Sequence, residues 1–318
     1  MEIGSDTRVF VIGCGGMLGK AVFETFSPRC DVLAGDIDLN EPWLEYADVR
    51  DLGGTRGIVL KFNPDLIMNL AALTDLEYCE LNPDDAWRTN ALGAENMALI
   101  SRELDIPMIH ISTAGIFDGS LEYYNDFDRP DPLSVYGKSK YYAETAVQGM
   151  LNKFYVFRAG WMMGGGPSKD KKFINKIYKQ IAAGEQTLRV VDDKLGTPTY
   201  TVDFARSMLK IIETDYYGLY NMVCGGSCSR YDAAVEFVRL LKLEERVRIE
   251  IVESAYFENE YFAPRPRSEK LVNLKLEARG INFMRDWREC LAEYSREFAF
   301  EAAQEEPPIP ETREAVLT

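Results

Sequence analysis

The stretch Ser134-Val-Tyr-Gly-Lys-Ser-Lys140 sets a phenol, Tyr136, four residues ahead of an ammonium, Lys140. On a helix, positions i and i+4 share a face, so the two groups project together. A phenol with an ordinary pKa of about 10 is a poor acid–base group at neutral pH, and a neighbouring positive charge favours the phenolate and lowers that value. Such a pair can move a proton. The pattern alone is cheap, because a chain with this much Tyr and Lys shows roughly one Tyr-x-x-x-Lys by accident. Its weight comes from what the chain places before it.

Val11-Ile-Gly13-Cys-Gly-Gly16-Met-Leu-Gly19-Lys spaces glycines as G-x-x-G-x-x-G at the end of an apolar run. There the backbone must turn tightly, let a pyrophosphate approach the N–H groups of a helix start, and pack helix on strand. Gly13, Gly16, Met17, Leu18 and Gly19 are the candidates for that contact. Asp36 closes the second apolar run, where a dinucleotide fold uses a carboxylate to accept from the adenosine ribose. The stretch Gly35-Asp-Ile-Asp-Leu-Asn-Glu41 has no Arg or Lys to receive a 2′-phosphate, and its carboxylates would repel one. NAD(H) is therefore expected ahead of NADP(H), which stays possible. Small Ala71 and Ala72 would let the cofactor lie close to the backbone. Ser112 and Thr113 bring hydroxyls to a strand's carboxyl end, the ligand edge of an open α/β sheet. Tyr136 and Lys140, opening the next helix, then face the nicotinamide with Thr113 beside them. From there Tyr136 would pass a proton to a carbonyl oxygen as hydride reaches the carbon.

The elements that must position these groups are legible as apolar strands at 9–12, 31–35, 66–71, 108–113 and 155–158, with amphipathic helices over 16–26, 84–104 and 135–151 between them. This is the alternation of a Rossmann-type, doubly wound parallel sheet, an α/β fold covered on both faces. Residues 51–62 should form a crossover helix, although Gly53, Gly54 and Gly57 weaken it by roughly a kcal/mol each relative to Ala. Residues 1–160 read as the dinucleotide-binding domain, with a returning segment near 200–223. Residues 161–300 read mainly as a smaller α/β substrate lobe, with helices over 202–213 and 230–243 and strands over 219–223 and 247–252. Residues 301–318 read as a solvated acidic tail.

Bulk properties exclude several classes. A net charge of −15 and no basic stripe argue against nucleic acid, and no apolar run approaches the roughly 18 residues that span a bilayer. The six cysteines follow no disulfide framework and no signal peptide precedes the first strand, so a cytosolic, reduced protein is expected. Cys224 and Cys228 lack a second ligand pair, and no metal site is expected. The lone histidine, His110, sits inside an apolar run and is expected as a hydrogen-bonded strand residue rather than a catalytic one.

The order of these motifs resembles the extended short-chain dehydrogenase/reductase superfamily and, within it, the dTDP-4-dehydrorhamnose reductase family. The resemblance covers about residues 8 to 298. It rests on Gly13–Gly19, Asn63-Pro-Asp-Leu-Ile-Met-Asn-Leu-Ala-Ala72, Thr89-Asn-Ala-Leu-Gly-Ala-Glu-Asn96 and Pro132–Lys140. Most telling are Val190-Val-Asp-Asp-Lys-Leu-Gly-Thr-Pro-Thr199 and Arg265-Pro-Arg-Ser268. It implies an NAD(P)H-dependent reductase of a 4-keto group on a nucleotide sugar. It also implies Thr113, Tyr136 and Lys140 as catalytic residues, Asn90 among the cofactor contacts, and Ser112, Trp161 and Arg265 around the sugar. An indole at Trp161 would offer an apolar face to a deoxysugar and an N–H to one oxygen. Asp192, Asp193 and Thr197 would order the cleft between lobes. Some family members pair, so a homodimer is possible.

One departure stands out. The family follows its Ser-Thr with Asp-Tyr, and that tyrosine touches substrate; here the positions are Ala114 and Gly115. The sugar pocket should differ accordingly. The alternatives are a nucleotide-sugar 4-epimerase with tightly held NAD and a non-catalytic, dinucleotide-binding regulatory subunit. A 4,6-dehydratase would need an Asp-Glu pair after Thr113, which is absent.

Overall fold

The computed structural model describes residues 1–298, so the tail expected over 301–318 lies outside the described residues. Strands β1 (Arg8–Ile12), β2 (Asp31–Asp36), β3 (Leu44–Tyr46), β4 (Leu66–Asn69), β5 (Met108–Thr113) and β6 (Phe154–Ala159) form a parallel sheet. The chain then makes short strands β7 (Trp161–Met163), β8 (Thr187–Val191), β9 (Leu195–Gly196) and β10 (Pro198–Tyr200) before returning to this sheet with β11 (Gly218–Asn221). The strand order is β11-β6-β5-β4-β1-β2-β3. Reversal of direction at β1 and β4 makes the doubly wound Rossmann arrangement, whose ligand crevice lies at the strands' carboxyl ends.

Alternation along β1 shows why the sheet is buried on both faces. Val9 and Val11 join a core with Phe26, Tyr155, Phe157 and Phe204, whereas Phe10 and Ile12 join a second core with Ile67, Met97 and Val156. Helices α1 (Met17–Phe26) and α9 (Thr201–Ile212) pack together, as do α5 (Gly93–Leu104) and α6 (Val135–Met150).

One strand was not foreseen, one doubtful helix is present, and one expected helix is broken. The edge strand β3 falls in a stretch that carries no apolar period, and it exists because Ala34 to Asp36 offer it a ladder. The glycine-weakened α2 (Leu52–Phe62) holds because Asp51 caps it, accepting from Gly54 N–H at 2.9 Å, and Asn63 ends it in the left-handed region. The single helix expected over 84–104 is three pieces: α4 (Pro83–Ala86), a π-helical turn at Trp87–Leu92, and α5. In that turn Asn90 is buried, its amide bonding Leu73 N–H, Leu73 C=O and Ser139 Oγ at 2.8, 3.0 and 3.1 Å. Extra turns of this kind concentrate at functional sites.

The second lobe is built from small pairings. Strand β10 pairs with β7, β13 (Arg248–Val252) with β8, and both β12 (Cys228–Ser229) and β14 (Ser268–Glu269) flank β9. Helix α10 (Arg230–Leu240) starts with a reciprocal Ser229–Asp232 capping box and packs on α8 (Phe173–Ala182). Among the described residues no helix is long and apolar enough to cross a membrane.

Candidate active site

The glycine loop joins β1 to α1. Gly13 has φ 80°, and a Cβ there would collide with the backbone of Ala71, so the loop can lie this close to β4's end only as glycine. Gly19 packs against the Cys14 carbonyl in the same way. Helix α1 begins at Met17 and Leu18 behind Gly16, with no side chain capping it, which leaves its first N–H groups free for an anion. Asp36, at the end of β2, accepts from Gly15 N–H at 2.8 Å and Asp38 N–H at 2.9 Å and so sits on the lip of this loop. Ala71 donates to Asn69 Oδ1 at 3.1 Å, and Ala72 follows it in the same loop.

The lip contains a residue that sequence order hid. Lys169, in the short helix α7 (Gly166–Lys169) of the second lobe, donates to Gly15 C=O at 3.2 Å and Asn40 Oδ1 at 3.1 Å and pairs with Glu41 at 2.8 Å. Residues 35–41 hold no cation, but the tertiary structure brings one to the same lip, so the preference for NAD(H) over NADP(H) loses that support.

At the carboxyl end of β5, Thr113 Oγ1 accepts from Gly115 N–H at 3.1 Å, and it and the Tyr136 ring both border the point where a Cβ on Gly115 would sit. Ser134 caps α6 through Gly137 N–H at 3.1 Å, which aims Tyr136 and Lys140 from the first turns of the helix toward the strand end. Burial pushes the phenol up to about 12; the Thr113 hydroxyl opposes this and the Glu269 charge adds to it. Burial pushes Lys140 down to about 7, against the pull of Glu144. Burial is the largest cause at Tyr136, and without a bound dinucleotide's positive ring the phenol stays protonated at neutral pH. Lys140, 2% exposed, meets His110 Nε2 at 3.3 Å. Behind them Glu144 and Arg158 form a buried bidentate pair at 2.9 and 2.8 Å.

The residues expected around a sugar are placed differently from one another. Ser112 is buried, and its hydroxyl has no hydrogen-bond partner among the described residues. Trp161 does not present a free indole, because its N–H donates to Glu269 Oε2 at 2.8 Å and the Arg230 guanidinium covers its ring at 3.5 Å. Arg265 forks onto Glu77 of α3 (Leu76–Leu81) at 2.6 and 2.8 Å, so its donors tie the lobes together. Asp193 accepts from Ser254 at 2.7 Å, and Thr197 Oγ1 accepts from Leu271 N–H at 3.2 Å. Arg230 and Glu269 gave no local signal in the sequence, since neither lies in a motif. Burial lowers Arg230 to about 10, Glu269 being the largest opposing charge, and among the described residues its guanidinium has no ion pair or hydrogen bond. Cys224 and Cys228 are both buried, Cys224 lying 3.6 Å from Cys290 instead, and no group of three metal-ligating side chains occurs among the described residues.

A doubly wound parallel sheet with a glycine loop on its first strand, and a Thr, Tyr and Lys at its carboxyl edge, defines a dinucleotide-binding α/β protein. Residues 7–300 match the family described as the RmlD substrate binding domain, and the chain belongs to that family. It is 32% identical to the spore coat polysaccharide biosynthesis protein SpsK of Bacillus subtilis, over 92% of this chain and 98% of that protein. It superimposes on a dTDP-4-dehydrorhamnose reductase from Clostridium acetobutylicum with TM-score 0.82 and 31% identity, covering 91% of this chain and 98% of that one. A dTDP-4-dehydrorhamnose reductase from Bacillus anthracis, solved in complex with NADP, gives TM-score 0.83 at 28% identity, over 93% of this chain and 100% of that one.

Proposed function

We propose that this protein is an NAD(P)H-dependent oxidoreductase that reduces the 4-keto group of a nucleoside-diphosphate-linked deoxysugar. The observation that carries the reading is the convergence of Thr113 Oγ1 and the Tyr136 ring, 3.5 and 3.6 Å from the point where a Cβ on Gly115 would sit, at the sheet edge that the glycine loop serves. A reductase needs a proton donor at that point.

The residues of the glycine loop fit a dinucleotide: Gly13 leaves backbone-to-backbone room, the uncapped start of α1 at Gly16, Met17 and Leu18 receives pyrophosphate, and Asp36 accepts from the ribose. The bound dinucleotide supplies the hydride. Thr113 and Tyr136 hold the substrate carbonyl oxygen, and Tyr136 delivers a proton to it. Lys140, titrating near neutrality, resupplies the phenol. Arg230, half-buried and with unspent donors, receives the diphosphate of the sugar nucleotide. Asp36 favours NADH and Lys169 tolerates NADPH, so both serve. The six buried free thiols support a cytoplasmic setting, and the enzyme works alone or as a homodimer.

The test is a panel of nucleotide-linked 4-keto-sugars with NADH and NADPH, following loss of reduced nicotinamide. Consumption with at least one sugar is expected; no consumption with any of them, alongside copurification of a partner enzyme, would replace this reading with that of a regulatory subunit.

A further inference from the structure

The departure at Gly115 acquires a physical content in the folded chain. A Cβ placed on Gly115 would lie 3.5 Å from Glu269 Oε1, 3.5 Å from Thr113 Oγ1 and 3.6 Å from Tyr136 Cε1. These are ordinary van der Waals distances. One carbon atom at that point therefore touches a carboxylate and, at once, both groups that hold the substrate carbonyl. In the family pattern a tyrosine grows from this position. Here a carboxylate from a strand more than a hundred residues away faces it instead.

Glu269 is rigidly presented. Strand β14 pairs it with Gly196 of β9, and its Oε2 accepts the Trp161 N–H at 2.8 Å. Trp161 is itself fixed between Gly196, where a Cβ would collide with the indole, and the Arg230 guanidinium at 3.5 Å. Among the described residues no hydrogen bond reaches Oε1. An ionised carboxylate accepts only, so the group that completes it must be a donor.

We propose that Glu269 determines which sugar is reduced, its Oε1 accepting a hydrogen bond from a donor substituent, hydroxyl or ammonium, on the sugar carbon next to the carbonyl. The proposal rests on the reductase reading and names its substrate class. A sugar with hydrogen at that carbon leaves Oε1 without a donor while it displaces water from it. The tyrosine hydroxyl missing at position 115 is thus replaced by a stronger acceptor on the opposite wall.

The experiment compares nucleotide-linked 4-keto-deoxysugars that carry hydroxyl, amino or hydrogen at the adjacent carbon, in wild type and in Glu269→Gln. Both kcat/KM and, for the corresponding 4-hydroxy products, Kd by calorimetry are measured. Wild type should prefer a donor-bearing sugar over its deoxy analogue by roughly tenfold to a hundredfold, the worth of one charge-assisted hydrogen bond. In Glu269→Gln the Trp161 N–H claims the amide oxygen and turns the NH2 toward the sugar, so an ammonium loses its acceptor and its preference should vanish, while a hydroxyl can only accept a neutral bond and its preference should fall several-fold. Preference for amino over hydroxyl in wild type identifies ammonium as the donor, and the reverse identifies hydroxyl. An equal donor-to-deoxy ratio in wild type and variant, whatever the rates, would overturn the proposal and leave Glu269 as a clip for Trp161. Discrimination in Kd without turnover would keep the proposal and discard the reductase. Failure of wild type to bind any of the sugars overturns both.

Discussion

Lys140 Nζ lies 3.3 Å from His110 Nε2, and His110 Nδ1 lies 3.4 Å from the Asn69 amide nitrogen. The Asn69 oxygen is held by Ala71 N–H at 3.1 Å, so its NH2 donates to Nδ1 and leaves the imidazole hydrogen on Nε2, facing Nζ. That direction suits the unprotonated form of Lys140, which a titration at about 7 leaves populated beside the ammonium. Burial and the Lys140 charge both hold His110 well below its ordinary range, so the imidazole is neutral too. His110 is thus the hydrogen-bonded strand residue that its apolar surroundings implied, but its partner is the lysine of the site.

This arrangement makes stability depend on pH with a definite sign. Lys140 titrates at about 7 in the folded chain and about 10.4 when unfolded, so between these values the unfolded chain binds the extra proton. Stability from this group should therefore rise with pH across that window and be lowest below pH about 7. Urea midpoints for wild type and Lys140→Met between pH 6 and 10 check it. The difference between the two should narrow as pH rises, and a constant difference would show that Lys140 stays charged in the fold.

Tyr136→Phe should lower kcat by about 10² to 10⁴ while the dinucleotide Kd is nearly unchanged, because only the transferable proton is removed. Single-turnover rates and calorimetry separate the two quantities. A variant that keeps more than about a tenth of the single-turnover rate would remove Tyr136 from the donor role.

Arg230→Met should raise KM for the sugar nucleotide roughly tenfold to a hundredfold and change kcat less, since a diphosphate contact is made equally in ground and transition states. Methionine keeps an unbranched apolar stem against Trp161 and Phe173, which lie 3.5 and 5.0 Å from the guanidinium. Equal affinity of wild type and variant for the free nucleoside diphosphate would assign Arg230 to packing alone.

Lys169→Met should reduce the ratio of NADP+ to NAD+ affinity by about tenfold, and Glu41→Gln, which releases Lys169 from its 2.8 Å partner, should raise it. Calorimetric Kd values for both dinucleotides give the ratio without any sugar. Parallel weakening of both in Lys169→Met would make the residue a clasp between lobes.

What the sequence determined by itself is what short-range order dictates. The glycine loop, the Asp36 position, the strand-end Ser112-Thr113 and the i,i+4 pair of Tyr136 and Lys140 are each contained in a few consecutive residues, and the apolar period that alternates strand with helix specifies the doubly wound sheet. The helix break around Asn90 was not legible, because a π turn arises from burying one amide against Leu73 and Ser139, not from a local propensity. Nor could spacing show Lys169 at Gly15, Glu269 at Gly115 or Arg230 on Trp161, pairs separated by 69 to 154 residues. The same holds for the phenol's acidity. Local sequence places a cation beside Tyr136, but how much water both groups lose, and which carboxylate approaches from β14, is decided only when the second lobe closes over the carboxyl edge of the sheet.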